Sequence, residues 1–222
     1  MTNMRLLYQT FEFGGIDIHL CTLRDRQQFH DPDGIAERLG ISSTAWPIFG
    51  IVWSSGLALA TFMDGYDTGT KRILEVGCGI ALPSLLLNSK SADITATDCH
   101  PEAAVFLARN TAINNGAAIT FERTGWADNN DQLGFFDLII GSDLLYEDEH
   151  IELLANFINA HANPACEVIV VDPGRGRKTK LINAMTLFGY TYAYQPLPHA
   201  AGSEPDFKGH ILKFTRMHLA AA

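Results

Sequence analysis

Two short runs near the start of the chain alternate apolar and polar positions about Gly14-Gly15: residues 8–13, Tyr-Gln-Thr-Phe-Glu-Phe, and residues 16–22, Ile-Asp-Ile-His-Leu-Cys-Thr. Period-two alternation around a two-residue glycine turn predicts a β-hairpin, placed to cover a sheet edge or the mouth of a site, with His19 on its solvated face. A short helix is predicted near 33–39, after the turn signal Asp31-Pro-Asp-Gly34. Residues 45–63 are apolar on nearly every side, which predicts a buried segment, either core or the wall of a pocket. From residue 72 onward, strand-like runs alternate with helical spacing. Strands are predicted at 72–76, 92–97, 117–121, 135–141 and 167–172, with helices at 80–90, 101–115, 149–162 and up to about 188. Ala103, Phe106, Leu107 and Ile113 form the inward face of the second of these helices, which Asn115-Gly116 stops. Residues 190–194 and 209–216 form two last strands joined by a polar loop holding Pro196, Pro198 and Pro205. With no helix between them they cannot be a parallel crossover, so that end of the sheet is expected to be antiparallel. The pattern is that of an α/β fold: a seven-stranded, doubly wound, mostly parallel sheet with an antiparallel C-terminal strand pair and an N-terminal hairpin extension. It divides into a hairpin and cover segment, 1–44, and a main domain, 45–222.

Composition narrows the partners. With 222 residues and 47% apolar content the chain can bury one large core. A net charge of −9 argues against binding to a phosphate backbone, which draws on clustered Lys and Arg. Cys21, Cys78, Cys99 and Cys166 form no C-x-x-C pair, so neither a disulfide frame nor a zinc site is expected, and reduced thiols in a cytoplasmic monomer are. The N-terminus lacks the apolar core of a signal peptide, and no membrane-spanning run is expected.

The chemistry concentrates in Arg72-Ile-Leu-Glu-Val-Gly-Cys-Gly-Ile-Ala-Leu-Pro83. Glycines at a strand-to-helix turn let backbone approach a ligand and leave helix N–H groups aimed at it. A dinucleotide fingerprint would place its third glycine at 82, where Leu82 stands. The pattern is instead Glu75, Gly77, Gly79, Ala81, which resembles the first motif of S-adenosylmethionine methyltransferases, with Ala81 where glycine is usual. Asp98 lies 21 residues beyond Gly77 at a strand end, spaced to accept hydrogen bonds from ribose hydroxyls, and it could also cap the following helix. Trp53 is a candidate pocket wall, and Trp126, in Gly125-Trp-Ala-Asp128, could pack on a purine or only cover core. Ser142, Asp143 and Tyr146 follow the fourth strand, and in open parallel sheets ligands bind beyond the carboxyl ends of the strands, although Asp143 and Tyr146 could also cap and pack the hinge before the helix at 149–162. Arg175, Arg177, Lys178 and Lys180 oppose a helix dipole, which an acidic partner or substrate surface would offset unless they are a solvated loop.

Taken together, Val52-Trp-Ser-Ser-Gly56, Leu74-Glu-Val-Gly-Cys-Gly79, Thr97-Asp98, Gly125-Trp126 and Phe136-Asp-Leu-Ile-Ile-Gly-Ser-Asp-Leu-Leu-Tyr146 resemble the seven-β-strand, Rossmann-like methyltransferases over roughly residues 45–216, and within them the family-16 lysine methyltransferase-like proteins. Asp172-Pro-Gly-Arg175 is similar to the branch of electron-transfer-flavoprotein β-subunit lysine methyltransferase, with its bacterial nicotinamide N-methyltransferase-like members. The resemblance implies S-adenosyl-L-methionine as cofactor, with contacts from Trp53, Gly77, Gly79, Asp98, Trp126 and Ser142. It also implies that Asp143 and Tyr146 face the acceptor amine. Glu75 is assigned to holding the loop or the methionine ammonium, Asp143 to aiming the amine and Tyr146 to shaping its pocket. The expected reaction is direct methyl transfer to a lysine side chain of a protein. A small nicotinamide-like amine as acceptor, or a non-catalytic S-adenosylmethionine-binding role, stand as alternatives. No metal is expected.

Overall fold

The computed structural model describes residues 4–128, 132–197 and 207–217. The hairpin forms as β1 (Leu6–Phe13) and β2 (Ile16–Leu23), with Phe13 paired to Ile16. Gly14 and Gly15 both have positive φ (46° and 98°), the twist a two-residue hairpin turn requires. After α1 (Ile35–Arg38) the expected continuous apolar segment divides in two: a 3-10 helix, Trp46–Gly50, and α2 (Ser54–Asp64). Between them the backbone is extended, at Ile51 and again at Trp53. Trp46–Asp64 is apolar and long enough by composition to span a membrane, at mean hydropathy 1.4, yet 61% of it is buried inside the fold. The extended break leaves α2 only 11 residues, about 16 Å at 1.5 Å per residue and well short of a bilayer core, so the stretch is core.

The alternating unit follows: β3 (Arg72–Val76), α3 (Leu82–Ser89), β4 (Asp93–Asp98), α4 (Ala103–Ile113), β5 (Thr120–Arg123), β6 (Phe136–Ser142), α5 (Glu149–His161), β7 (Ala162–Asp172), α6 (Lys178–Leu187), β8 (Thr191–Gln195) and β9 (His210–Arg216). The seven strands lie in the order β5-β4-β3-β6-β7-β9-β8. β3 to β7 are mutually parallel, and β9 runs antiparallel to both β7 and β8, as the sequence predicts. Two strand starts differ by three residues or more. The third strand starts at Thr120 rather than 117, and β7 begins directly at the end of α5, across a register shift opposite Phe136 and Leu138. Part of the proline-bearing loop between β8 and β9, with Pro198 and Pro205, lies outside the described residues.

Strand alternation sends neighbours to opposite layers. Ile73, Leu138, Ile140, Ile169 and Val171 pack under Leu59 and Met63 of α2, while Leu74, Val76, Ile139, Val168 and Val170 pack under α5 and α6. The hairpin lies against helices: β2 packs on α3, α4 and the 3-10 helix, and Ile18, Leu20 and Leu23 join Phe49, Leu82, Leu85, Leu86 and Phe106 in one cluster. Its outer edge is satisfied by side chains. Asn110 accepts from the Cys21 N–H (2.7 Å) and donates to the Cys21 carbonyl (3.2 Å), and Asn114 does the same for His19 (2.8 and 2.7 Å). Four residues of helix rise about 6 Å and two residues of strand about 6.6 Å, so this spacing lets a helix stand in for a missing strand. Asn110 and Thr111 accordingly occupy the buried face where Ile113, half-buried, was expected.

Candidate active site

The strand order reverses between β3 and β6, and the crevice beyond their carboxyl ends is where ligands bind in such sheets. Gly77, Gly79 and Ala81 all sit in the left-handed region, at φ 61°, 54° and 58°. A Cβ on Gly77 would come 2.7 Å from Leu144 Cδ2 and displace it, and one on Gly79 would crowd the Phe49 carbonyl oxygen at 3.0 Å, both on a backbone that strains any residue but glycine. Ala81 carries its methyl in that conformation, fully buried, just ahead of α3.

Hydrogen bonds hold the elbow from both flanks. Cys78 N–H donates to the Thr97 carbonyl (2.9 Å), and Gly79 N–H donates to Asp98 Oδ2 (2.8 Å). The other Asp98 oxygen accepts from His100 N–H (2.8 Å). Asp98 therefore ties the end of β4 to the elbow. It does not cap α4, which starts behind Glu102 without a side-chain cap. Glu75 Oε2 accepts from both the N–H (3.0 Å) and the hydroxyl of Ser84 in the first turn of α3. Burial, with Asp98 adding to it, pushes the Glu75 carboxyl up to about 8, so it is largely protonated at neutral pH and anchors the loop as a neutral group. Burial also raises Asp98 above the usual carboxylate range.

An aromatic floor lies beside this carboxylate. His100 stacks on Phe49 (centroids 3.9 Å apart) and meets Trp46 edge-on at 5.5 Å. Burial pushes the imidazole down to about 4, which keeps it neutral. His100 and Phe49 carry no motif signal of their own. A histidine two residues after Asp98 was legible, but the 3-10 helix that brings Phe49 onto it was not.

The facing wall comes from the end of β6. Ser142 Oγ lies 3.5 Å from where a Cβ on Gly56 of α2 would stand, one turn beyond Trp53. The Trp53 indole N–H donates to the Ile48 carbonyl (3.0 Å), and the Arg26 guanidinium sits 4.6 Å over its ring. Trp126 reaches within 3.9 Å of the Gly77 Cβ position, and Trp126 and Tyr146 each meet His150 edge-on, at 5.8 and 5.5 Å. Tyr146 remains 46% exposed at this rim.

Asp143 has φ 55° and donates its N–H to the Val171 carbonyl (2.9 Å), which fixes it across β6 and β7. It does not cap α5, which begins behind Asp148. Its carboxylate is held bidentately by Arg175, Nε at 2.6 Å and Nη2 at 2.9 Å. Asp148 in turn pairs with Arg177 and Lys180, both at 2.6 Å. Three of the four cations ahead of and within α6 are thus offset inside the molecule, on the loop carrying Tyr146, rather than by an external surface. A cavity of about 570 Å³ between the ends of α3 and α4, near Asn88, Asp93 and Asn115, lies at the opposite end of the strands from all these residues.

The strand order, the elbow and the acid at the end of β4 define a Rossmann-like, methyltransferase-type fold. A solved structure of magnesium protoporphyrin IX methyltransferase from Synechocystis PCC 6803 with bound SAM superposes at TM-score 0.56, with 16% identity over 73% of this chain and 78% of that one. Residues 40–186 match the model of the lysine methyltransferase family, and the chain belongs to that family. Among curated relatives it is 30% identical to protein N-lysine methyltransferase METTL21A of Danio rerio, over 51% of this chain and 52% of that protein. It is also 30% identical to protein N-terminal and lysine N-methyltransferase efm7 of Schizosaccharomyces pombe, over 63% and 60%. The match therefore spans about half to three-fifths of the length of these relatives.

Proposed function

We propose that this protein is an S-adenosyl-L-methionine-dependent N-methyltransferase that methylates a lysine side chain of a protein, working as a cytoplasmic monomer. Membership of the lysine methyltransferase family supports the class. The observation that carries the site is the glycine elbow tied to Asp98 at the switch point. An ionised carboxylate offers about four acceptor sites. Backbone N–H groups of Gly79 and His100 each take one oxygen, Cys99 also bonds the carboxylate through its N–H and its thiol, and a ribose hydroxyl would take the thiol's place. Bound there, the cofactor would supply an electrophilic methyl: the amine lone pair forms the new N–C bond while the C–S electrons return to sulfur, leaving S-adenosyl-L-homocysteine.

The remaining work belongs to the chain. Gly77 and Gly79 admit close backbone approach, Trp126 offers a flat face to an adenine, the buried Phe49–His100 stack supports the Asp98 turn from behind, and Trp53 and Ser142 close the side toward α2. Glu75 holds the elbow on α3 through the Ser84 N–H and hydroxyl, and an ammonium bound beside it would favour its ionised form. Asp143 and Tyr146 stand at the rim for the acceptor, and the reaction asks them for positioning and desolvation more than for acid–base power. Four unpaired thiols, Cys21, Cys78, Cys99 and Cys166, suit a reducing compartment.

The test is transfer of radiolabelled methyl from S-adenosylmethionine into a lysate of cells lacking the protein, followed by hydrolysis of labelled protein bands. N-methyl-lysine is expected. Label confined to a small-molecule fraction would favour the nicotinamide-like amine, methyl-arginine would overturn the acceptor, and tight cofactor binding without any labelled product would leave a binding protein.

A further inference from the structure

A lysine acceptor meets a difficulty at this rim. Its ordinary pKa is about 10.4, and it must lose its proton before its lone pair can attack. A bare carboxylate beside it orients the nitrogen but favours the charged ammonium, against the reaction. Asp143 is not bare. It is 13% exposed in its side chain, locked by its own N–H to β7, and covered on its carboxylate edge by a guanidinium that is itself 40% exposed.

We propose that Arg175 is a positioning residue that works through Asp143, cancelling its charge while fixing its oxygens, so that Asp143 aims the acceptor amine without holding it as an ammonium. This rests on the reading of a protein lysine acceptor. A carboxylate oxygen engaged by guanidinium keeps a second lone pair for an N–H of the incoming amine. The planar fork fixes the carboxylate in a way that a single ammonium could not. The acceptor ammonium first gives one proton to water; the resulting amine then bonds the methyl carbon and leaves as the methylated ammonium.

The charged groups facing this pair come from three elements. Asp172 ends β7, with Oδ2 accepting from Gly174 N–H (3.1 Å) and Oδ1 buried without a partner among the described residues, and it acts on Arg175 together with Tyr146. Glu147 pairs with His150 at 3.3 Å, and Asp148 is taken by Arg177 and Lys180. On α6, Lys178 contacts His210 at 3.4 Å. Arg175 is the cation in this group paired directly with Asp143.

The signs make the test. Initial rates of methyl transfer from labelled S-adenosylmethionine into the labelled lysate band would be measured between pH 6 and 10 for wild type and four variants. Arg175→Gln exposes the carboxylate and is expected to move the acid limb of the profile alkaline by about one pH unit. Asp143→Asn leaves the guanidinium alone and is expected to move it the other way, with a lower maximal rate. The double variant restores neutrality and returns the limb close to the wild type, and Arg175→Lys lies near the wild type with a raised acceptor KM. A merely structural ion pair would lower the rates of both single variants without opposite displacements of the limb, and that result overturns the proposal, as does an unmoved limb in Arg175→Gln. Calorimetry with S-adenosylhomocysteine, expected to give unchanged affinity in Arg175→Gln, separates misfolding from the effect on the acceptor. Absence of any labelled protein with the wild type at every pH would instead overturn the protein-acceptor reading itself, and this inference with it.

Discussion

Glu75 shows how one buried side chain can set the pH behaviour of a site. Its neutral form accepts two hydrogen bonds from Ser84, and burial holds its pKa at about 8, against the ordinary 4.5 of the unfolded chain. Because the folded value is the higher, its contribution to stability is fully present below about 4.5 and is lost as pH rises through about 8. Glu75→Gln keeps an amide oxygen for both Ser84 donors and cannot ionise. Thermal melts of the two forms are therefore expected to separate between pH 5 and 8, with the Glu75→Gln variant gaining on the wild type by an amount on the order of a few kcal/mol. Parallel curves would show that Glu75 is already ionised in the fold. At Ala81 the same elbow keeps a side chain in a left-handed conformation that glycine adopts at no steric cost. That explains why glycine is usual there and why alanine still folds.

At the scale of elements, the hairpin is docked by the amides of α4. Asn110 and the Cys21 backbone are fully buried, so Asn110→Ala strands an N–H and a carbonyl with no water to replace the lost partner. Chemical denaturation is expected to show a loss of about 2–3 kcal/mol. Asn114→Ala, whose bonds to His19 are exposed, is expected to cost less than about 1 kcal/mol. Equal costs would mean the hairpin is held by its apolar face alone. This docking was not legible in the sequence, because helical periodicity sees two asparagines as an outward face, and the strand they serve is 95 residues away for Asn114 and His19. The break in the apolar stretch before α2 was hidden for a related reason. Composition reports burial, whereas the turn from 3-10 helix to extended chain depends on the elbow that Phe49 must cover.

Over the whole molecule, the features legible beforehand are those written in local spacing: the hairpin turn, the strand-helix alternation, the antiparallel end, and the elbow with its acid 21 residues on. What stayed hidden are partnerships between segments, such as Arg175 with Asp143 across 32 residues, or His100 on Phe49. The sequence pattern left the basic cluster before α6 between an acidic partner surface and a solvated loop; within the molecule, carboxylates on the loop after β6 pair with three of its four cations. Both loops follow neighbouring parallel strands, so they meet at one rim of the sheet, beside the β3–β6 reversal. One claim is central: the crevice at that reversal holds an adenosyl cofactor through Asp98, which reaches it from the end of β4. Isothermal calorimetry with S-adenosylhomocysteine tests it most directly. Saturable binding is expected for the wild type, with affinity at least about tenfold weaker in Asp98→Ala, since hydrogen bonds to a charged group contribute roughly 1.5–3 kcal/mol each. No heat with the folded wild-type protein, or equal affinity in the two, would contradict the account.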